Sequence, residues 1–158
     1  MKFFISCAKS LEYLLVDEAI AMGVPQATAT MAGVNADGSL ADAQRLVMFS
    51  RLASRVLWPI AHFDCRDEQD LYQNMHAIDW AAHIGTGATL AIDARISSPT
   101  LTHERYAAQR AKDAIVDRLR AQTGTRPDID VENADVRINL HVRKDKADIA
   151  IDLGGGSL

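Results

Sequence analysis

Residues Val136 to Arg143 (VRINLHVR) alternate apolar and polar side chains without a break. Successive side chains on a strand point to opposite faces, so Val136, Ile138, Leu140 and Val142 form one face and Arg137, Asn139, His141 and Arg143 the other. The first face requires a covering layer. A second strand is predicted immediately afterwards, Ala147 to Leu153 (ADIAIDL). Ahead of both lies Tyr106 to Arg120 (YAAQRAKDAIVDRLR), which has helical periodicity: Ala108, Ala111, Ile115 and Leu119 form an apolar stripe with Ala107 and Ala114 at its edge. A helix laid on strands is an α/β (α+β) arrangement in two layers.

The remainder of the chain extends that pattern. Phe3 to Cys7 reads as a short buried strand. A helix follows, with Ser10 as its cap, Glu12 in its first turn and Leu11, Leu15 and Met22 on its apolar face. Gly23 stops it and Val24-Pro25 prevents its continuation. Gln26 to Val34 is strand-like, and Asp37-Gly38 is the strongest short hairpin signal in the chain. Asp42 begins a second helix running to about Ala53. Arg55 to Phe63 is a strand that contains Pro59, which predicts an edge or bulged position. The order strand, helix, strand, strand, helix, strand is that of a ferredoxin-like unit. Charge rises abruptly over Asp64 to Asp67, so the domains are placed at 1–65 and 66–158. The second domain opens with a helix from about Asp67 to Ile78, whose stripe is Leu71, Met75 and Ile78, and Trp80 anchors its core. Gly85 and Gly87 mark a turn, and Ala88 to Ile96 alternates as a strand. Ser97 to Thr100 is a loop, and Thr102 is placed to cap the long helix.

At 48% apolar residues the chain has enough for a sizeable core. Its formal charge of −4 argues against a globally basic nucleic-acid binder. Neither half differs: residues 1–65 hold 5 Lys/Arg against 6 Asp/Glu, which leaves 12 against 15 for residues 66–158. Any phosphate contact must come from a local patch. Cys7 and Cys65 form no Cys-x-x-Cys motif and are read as two buried free thiols in a reducing, cytoplasmic setting. No stretch is long and apolar enough for a membrane span, and the apolar run Phe3 to Ala8 is too short for a signal-peptide core.

Residues able to carry chemistry are sparse. Arg137, Asn139 and Arg143, with Lys144 after them, offer donors suited to phosphate and ribose. The competing expectation is that the strand arginines pair with Asp148 and Asp152 on the next strand. On the long helix, Arg105, Gln109, Lys112 and Arg120 gather along one flank of the stripe, with Arg110, Asp113 and Asp117 on the other side. That flank suits a sugar-phosphate backbone, or it belongs to an ordinary amphipathic helix with ion pairs such as Arg110–Asp113. Arg51 and Arg55 are placed to contact RNA or to bridge the two domains. Tyr106, Trp58 and Trp80 could stack on bases, although packing is the commoner use. No histidine or cysteine spacing indicates a metal beyond the lone His62/Cys65 pair, which is read as structural. Gly85-Thr86-Gly87 precedes a strand instead of following one, so it is no phosphate cradle. No catalytic residue is assigned.

The long helix, the path through Arg126-Pro127 and the two closing strands running into Gly154-Gly155-Gly156-Ser157-Leu158 resemble a THUMP domain, an RNA-binding module found in front of RNA-modifying enzymes. Ser50 to Val56 (SRLASRV), Asp70 to Tyr72, Ile78-Asp79-Trp80 and Gly87 to Ile92 (GATLAI) fit the same family, and the whole is most similar to the N-terminal part of bacterial large-subunit ribosomal RNA guanine-N2 methyltransferases. The resemblance implies a module that holds 23S rRNA for a methyltransferase domain following Leu158. S-adenosylmethionine would be used there, and this segment would have no cofactor, no metal and no catalysis of its own. Gly154 stands where the family usually has Ser, and the family's basic segment after the last strand is not in this sequence. The family's Asn/Asp-Pro-Pro-Tyr-type catalytic loop is also missing, since no Pro-Pro occurs. Two other functions stay open: the RNA module of a tRNA-modifying enzyme (guanine-N2 methyltransferase or 4-thiouridine synthetase), and a ferredoxin-like regulatory module for a small ligand or a protein.

Overall fold

The computed structural model describes residues 1–154 apart from positions 32, 86, 98–103, 126 and 131. The predicted loop Ser97 to Thr100 beyond Ser97, the Thr102 cap, Arg126 and the terminal Gly155 to Leu158 therefore lie outside the described residues. The chain divides into two units, Met1–Pro59 together with the stretch from Ile151 onward, and Ile60–Ala150.

The first unit contains β1 (Lys2–Cys7), α1 (Glu12–Ala21), β2 (Gln26–Ala29), β3 (Gly33–Asp37), α2 (Leu40–Phe49) and the first half of β4 (Ala53–Asp64). This is the β-α-β-β-α-β order predicted. The strands run β2-β3-β1-β4, and β1 pairs antiparallel with both β3 and β4. Alternate strand residues Phe3, Ile5, Val34, Ala36 and Val56 meet Leu15, Ala19, Ala43 and Leu46 from the two helices, so both helices cover one face of the sheet. That core buries roughly 1.5–3 kcal/mol of transfer free energy for each large apolar side chain.

Four local expectations are corrected here. Ser10 does not cap α1: its φ is +79°, and Leu11 holds the cap position with no side-chain bond. The hairpin is not at Asp37-Gly38. β3 runs through to Asp37, and β2 turns into β3 by Thr30 N–H donating to the Gly33 carbonyl at 2.8 Å. Asp37-Gly38 is held by the N-terminus, whose ammonium donates to Asp37 Oδ1 at 2.9 Å while Gly38 N–H donates to the Met1 carbonyl at 2.9 Å. Helix α2 starts at Leu40, because Ser39 and Asp42 form a capping box: Asp42 N–H donates to Ser39 Oγ at 3.1 Å and Ser39 N–H to Asp42 Oδ2 at 2.9 Å. The backbone bond from Ser39 is also the main reason the Asp42 carboxyl lies below its usual range. Finally, of the two positions expected for β4, the bulged one holds, since its register with β1 shifts between Ser6 and Cys7, and the edge one does not, since β7 pairs on its other side. Pro59 is tolerated because the register with β1 stops at Leu57, so its missing N–H breaks no bond of that ladder.

The second unit takes the rest of β4, then α3 (Glu68–Ala77), a single 3₁₀ turn (Trp80–Ala82), β5 (Leu90–Ser97), α4 (Glu104–Thr123), β6 (Val136–Arg143) and most of β7 (Lys146–Asp152). Strands run β5-β6-β7, with β4 beyond β7. β5 and β6 are parallel, from Leu90 opposite Val136 to Ser97 opposite Arg143, and α4 is the crossover between them. Asp67 caps α3 by accepting from Asp70 N–H at 2.8 Å. Leu71, Met75 and Trp80 are fully buried, as are Ile115, Ile138, Leu140, Val142 and Ile149. The Trp80 indole satisfies its one donor on the Met75 carbonyl at 2.7 Å.

Candidate nucleic-acid interface

The apolar residues of β6 face inward, and helix α4 packs on β5 and on α3. Helices and the alternate residues of β6 therefore occupy opposite sides of the second unit's sheet. The two groups of cations singled out from the sequence are thereby separated. Arg105, Gln109, Lys112 and Arg120 belong to the helix side. Arg137, Asn139 and Arg143 belong to the open strand side, and Lys144 to the turn at its end.

On α4, Arg105, Gln109 and Arg120 are exposed. Lys112 is mostly covered, its side chain 23% exposed, with Nζ 3.9 Å from Asp113 Oδ1. Val116, on the same flank, is buried at 5%. The buried arc also differs from the predicted stripe: Ala107 and Ala114 are fully buried and Ala108 only half so. Arg118 lies on that arc, and its Nε is buried without a hydrogen-bond partner. Arg110 does not pair with Asp113. Its guanidinium sits over the Tyr72 ring, 4.5 Å from the centroid, and the Tyr72 hydroxyl donates to Asp117. That bond is the first cause raising the Tyr72 phenol above its ordinary pKa, with desolvation second. The side of α4 opposite the cationic flank is thus engaged with α3.

On the strand side the expected partners are also replaced. Arg137 forms a two-pronged pair with Asp93 of β5, Nε to Oδ2 at 3.0 Å and a terminal nitrogen to Oδ1 at 3.3 Å. Asp148 is taken by His62 and Asp152 by Arg55 at 3.8 Å. The reason is register. Ala91 lies opposite Arg137 and Asp93 opposite Asn139, so Asp93 is the diagonal neighbour of Arg137. Lys146 pairs with Asp64. Further along, Arg95 lies opposite His141 and Ser97 opposite Arg143. Burial, then Arg143, lowers the His141 imidazole below its ordinary pKa; Asp148 opposes this and Arg95 adds to it. Arg143 is exposed. Lys144 is exposed in the turn with φ +57°, its N–H donating to the Ser97 carbonyl at 2.7 Å. Arg95 was not picked out from the sequence. Its polar position in an alternating strand was visible there, but the parallel pairing that sets it beside His141 was not.

The other candidates divide plainly. Trp80 is buried and Trp58 packs on Phe3 with ring centroids 5.6 Å apart, whereas Tyr106 is exposed. Arg51 is exposed, and its backbone N–H donates to Glu18 at 3.2 Å. Cys65 is fully buried, its thiol pushed up to about 11 by burial and then by Asp70 and Asp67, while Cys7 is only half-buried. Among the described residues no three His, Cys, Asp or Glu side chains converge as metal ligands, and no helix is long and apolar enough to cross a membrane. A cavity of about 150 Å³ has, among the described residues, an uncharged lining of Ile84, Gly85, Gly87, Leu119, Thr123, Thr125 and Pro127.

Comparison with known proteins gives a consistent assignment. The family model of the THUMP domain matches residues 65–152, and that of the RlmL ferredoxin-like domain matches residues 2–57. The ribosomal RNA large subunit methyltransferase K/L of Syntrophotalea carbinolica is 45% identical over all 158 residues, and this chain spans 22% of that relative's length. Among solved structures, a predicted N6-adenine-specific DNA methylase from Listeria monocytogenes superposes with a TM-score of 0.77 at 19% identity, over 96% of this chain and 40% of that one. TrmN from Thermus thermophilus superposes with a TM-score of 0.70 at 20% identity, over 98% of this chain and 46% of that one. At such identities the two structures share the fold. With its matched THUMP segment preceded by a ferredoxin-like one, the chain belongs to the THUMP-domain family.

Proposed function

We propose that this chain is the RNA-recognition module of an S-adenosylmethionine-dependent large-subunit rRNA guanine-N2 methyltransferase, holding 23S rRNA for a catalytic domain in the same protein. The observation that carries this reading is the 45% identity across the entire chain to a ribosomal RNA large subunit methyltransferase. The ferredoxin-like part, residues 1–65, and the THUMP part, residues 66–158, act together in recognition. The proposed RNA contacts are the cations and amides of α4 and of the open strand side: Arg105, Gln109, Lys112, Arg120, Arg137, Asn139, Arg143 and Lys144. The module contributes affinity and geometry, and methyl transfer takes place in the catalytic part of the whole protein. The residues here do not fit the methyl donor: the Gly85–Gly87 turn precedes β5, whereas a glycine-rich cofactor turn follows a strand and opens a helix. No step of the chemistry is therefore assigned to this chain.

Fluorescence anisotropy with a labelled stem-loop of large-subunit rRNA tests the reading. The 158-residue chain should bind saturably, with a shallow log–log salt slope on the order of −2 to −4. Equal binding to duplex DNA and to a transfer RNA, or none to any of them, refutes it. In parallel, the whole gene product with labelled S-adenosylmethionine should methylate 23S rRNA at a guanine N2, and this chain by itself should give no heat on titration with the cofactor.

A further inference from the structure

We infer that Arg95, His141 and Arg143, at the C-terminal ends of the parallel strands β5 and β6, form the track that grips the RNA sugar-phosphate backbone. This rests on the RNA-recognition reading and decides which side of the second unit the RNA occupies. Arg95 lies opposite His141, and Arg143 is two residues further along the same face of β6. Strand spacing and rise place the Arg95 and Arg143 Cα atoms roughly 8 Å apart, within the reach of two arginines for neighbouring phosphates. Arg95 and Arg143 are both exposed, and neither has an acidic partner within ion-pair distance among the described residues. Like charges gathered on one sheet face oppose folding. A bound polyanion relieves that repulsion, whereas water relieves it only by screening.

Elsewhere on that side each cation near a carboxylate is already matched: Arg137 with Asp93, His62 with Asp148, and Lys146 with Asp64. Among the described residues of β5 and β6, the arginines left without an ion pair, Arg95 and Arg143, stand at the C-terminal end of the two strands. His141 lies opposite Arg95 and two residues before Arg143, and burial, then Arg143 and Arg95, lower its imidazole pKa against the pull of Asp148. A neutral imidazole both donates and accepts, which suits a ribose hydroxyl between two phosphates. The helix flank lacks this convergence. Lys112 is largely covered beside Asp113, and Arg105 and Arg120 are separated by about 22 Å of helix axis, too far to share adjacent phosphates.

The test uses the 158-residue chain and anisotropy with the labelled rRNA stem-loop over a salt series. Arg95→Gln/Arg143→Gln should lower affinity at low salt by about tenfold or more and reduce the magnitude of the salt slope by about 1.5. Arg95→Lys/Arg143→Lys should restore most of the slope, because the charge returns. Lys2→Gln/Lys9→Gln, in the first unit, is the reference for loss of charge alone. Circular dichroism melts establish that each variant is folded. A full salt slope in the folded Gln/Gln variant overturns the inference, as does a larger loss from Arg105→Gln/Arg120→Gln than from the strand pair. Both of these results leave the RNA-recognition reading standing, whereas absence of saturable binding by the unaltered chain removes both.

Discussion

Replacing Trp80 by Phe is the sharpest probe of how the THUMP unit is held together. Trp80 is 0% exposed and lies just past α3, with its indole N–H on the Met75 carbonyl at 2.7 Å. Phe leaves the six-membered ring's volume largely filled and vacates the pyrrole portion. A void on the order of 40 Å³ costs about 1 kcal/mol as cavity, and the lost transfer of the removed atoms adds about as much. The hydrogen bond contributes roughly 1 kcal/mol. It is not doubled by an orphaned acceptor, because Ile78 N–H also donates to the Met75 carbonyl, at 3.3 Å. The sum is about 3 kcal/mol. For a unit of this size that corresponds to a fall in Tm of roughly 12–24 °C. Differential scanning calorimetry reads it, and Trp58→Phe is the comparison, since Trp58 is half-buried against Phe3. A Trp80→Phe shift of under about 4 °C, or one no larger than that of Trp58→Phe, would refute the packing argument.

Two further perturbations follow from the local geometry. Ser39→Ala removes the acceptor that starts α2 and should cost about 1 kcal/mol in urea denaturation. A midpoint equal to the unaltered chain's would mean that water satisfies the helix end equally well. His141 gives the pH dependence. Its folded pKa lies below its unfolded one, so the unfolded chain takes up a proton first as pH falls below about 6.5. Stability is then lost between that value and the lower folded pKa, and the loss levels off beneath it. The urea midpoint should therefore drop more between pH 7.5 and 5.5 for the unaltered chain than for His141→Gln. Equal drops would show that burial, with Arg143 beside it, does not lower this imidazole.

What could be read from the sequence was whatever depends on near neighbours. Unbroken alternation specified β6 to the residue, Gly23 with its φ of +98° ended α1 as its lack of a side chain allows, and the acidic run from Asp67 marked where α3 begins. The misreadings arise where a distant segment decides. Asp37-Gly38 has the composition of a hairpin turn, but the N-terminus claims it, and the true turn sits ahead of Gly33. A Cβ on Gly33 would come within 2.1 Å of the Ile5 carbonyl, so that glycine serves a close approach of β1 and not a bend. Pro59 suggested an edge because a proline's effect depends on which ladder uses its N–H, and that ladder is known only once β1 and β7 are placed. The candidate site follows the same division. Which side chains share the open face of β6 was legible from alternation. That Asp93 neutralises Arg137, and that Arg95 stands beside His141, depends on parallel pairing across a crossover of more than 35 residues (Ser97 to Val136).

A chain with a formal charge of −4 can still hold a polyanion, for a reason visible in this charge arrangement. At physiological salt, exposed charges are screened over about 8 Å, so a phosphate responds to the few groups around it and hardly to the net charge. At several places in the second unit those groups pair at contact distance, as Lys146 with Asp64 and Arg137 with Asp93. Cancellation fails where β5 and β6 end. There the parallel register delivers Arg95 and Arg143 to one face, where Asp93, two residues before Arg95, is engaged by Arg137, and Asp148, which acts on His141, is paired with His62. Distant acidic residues do not weaken such a site much. For the proposed RNA partner they disfavour settling elsewhere on the molecule, so on that proposal an acidic remainder favours one orientation of the bound strand over many.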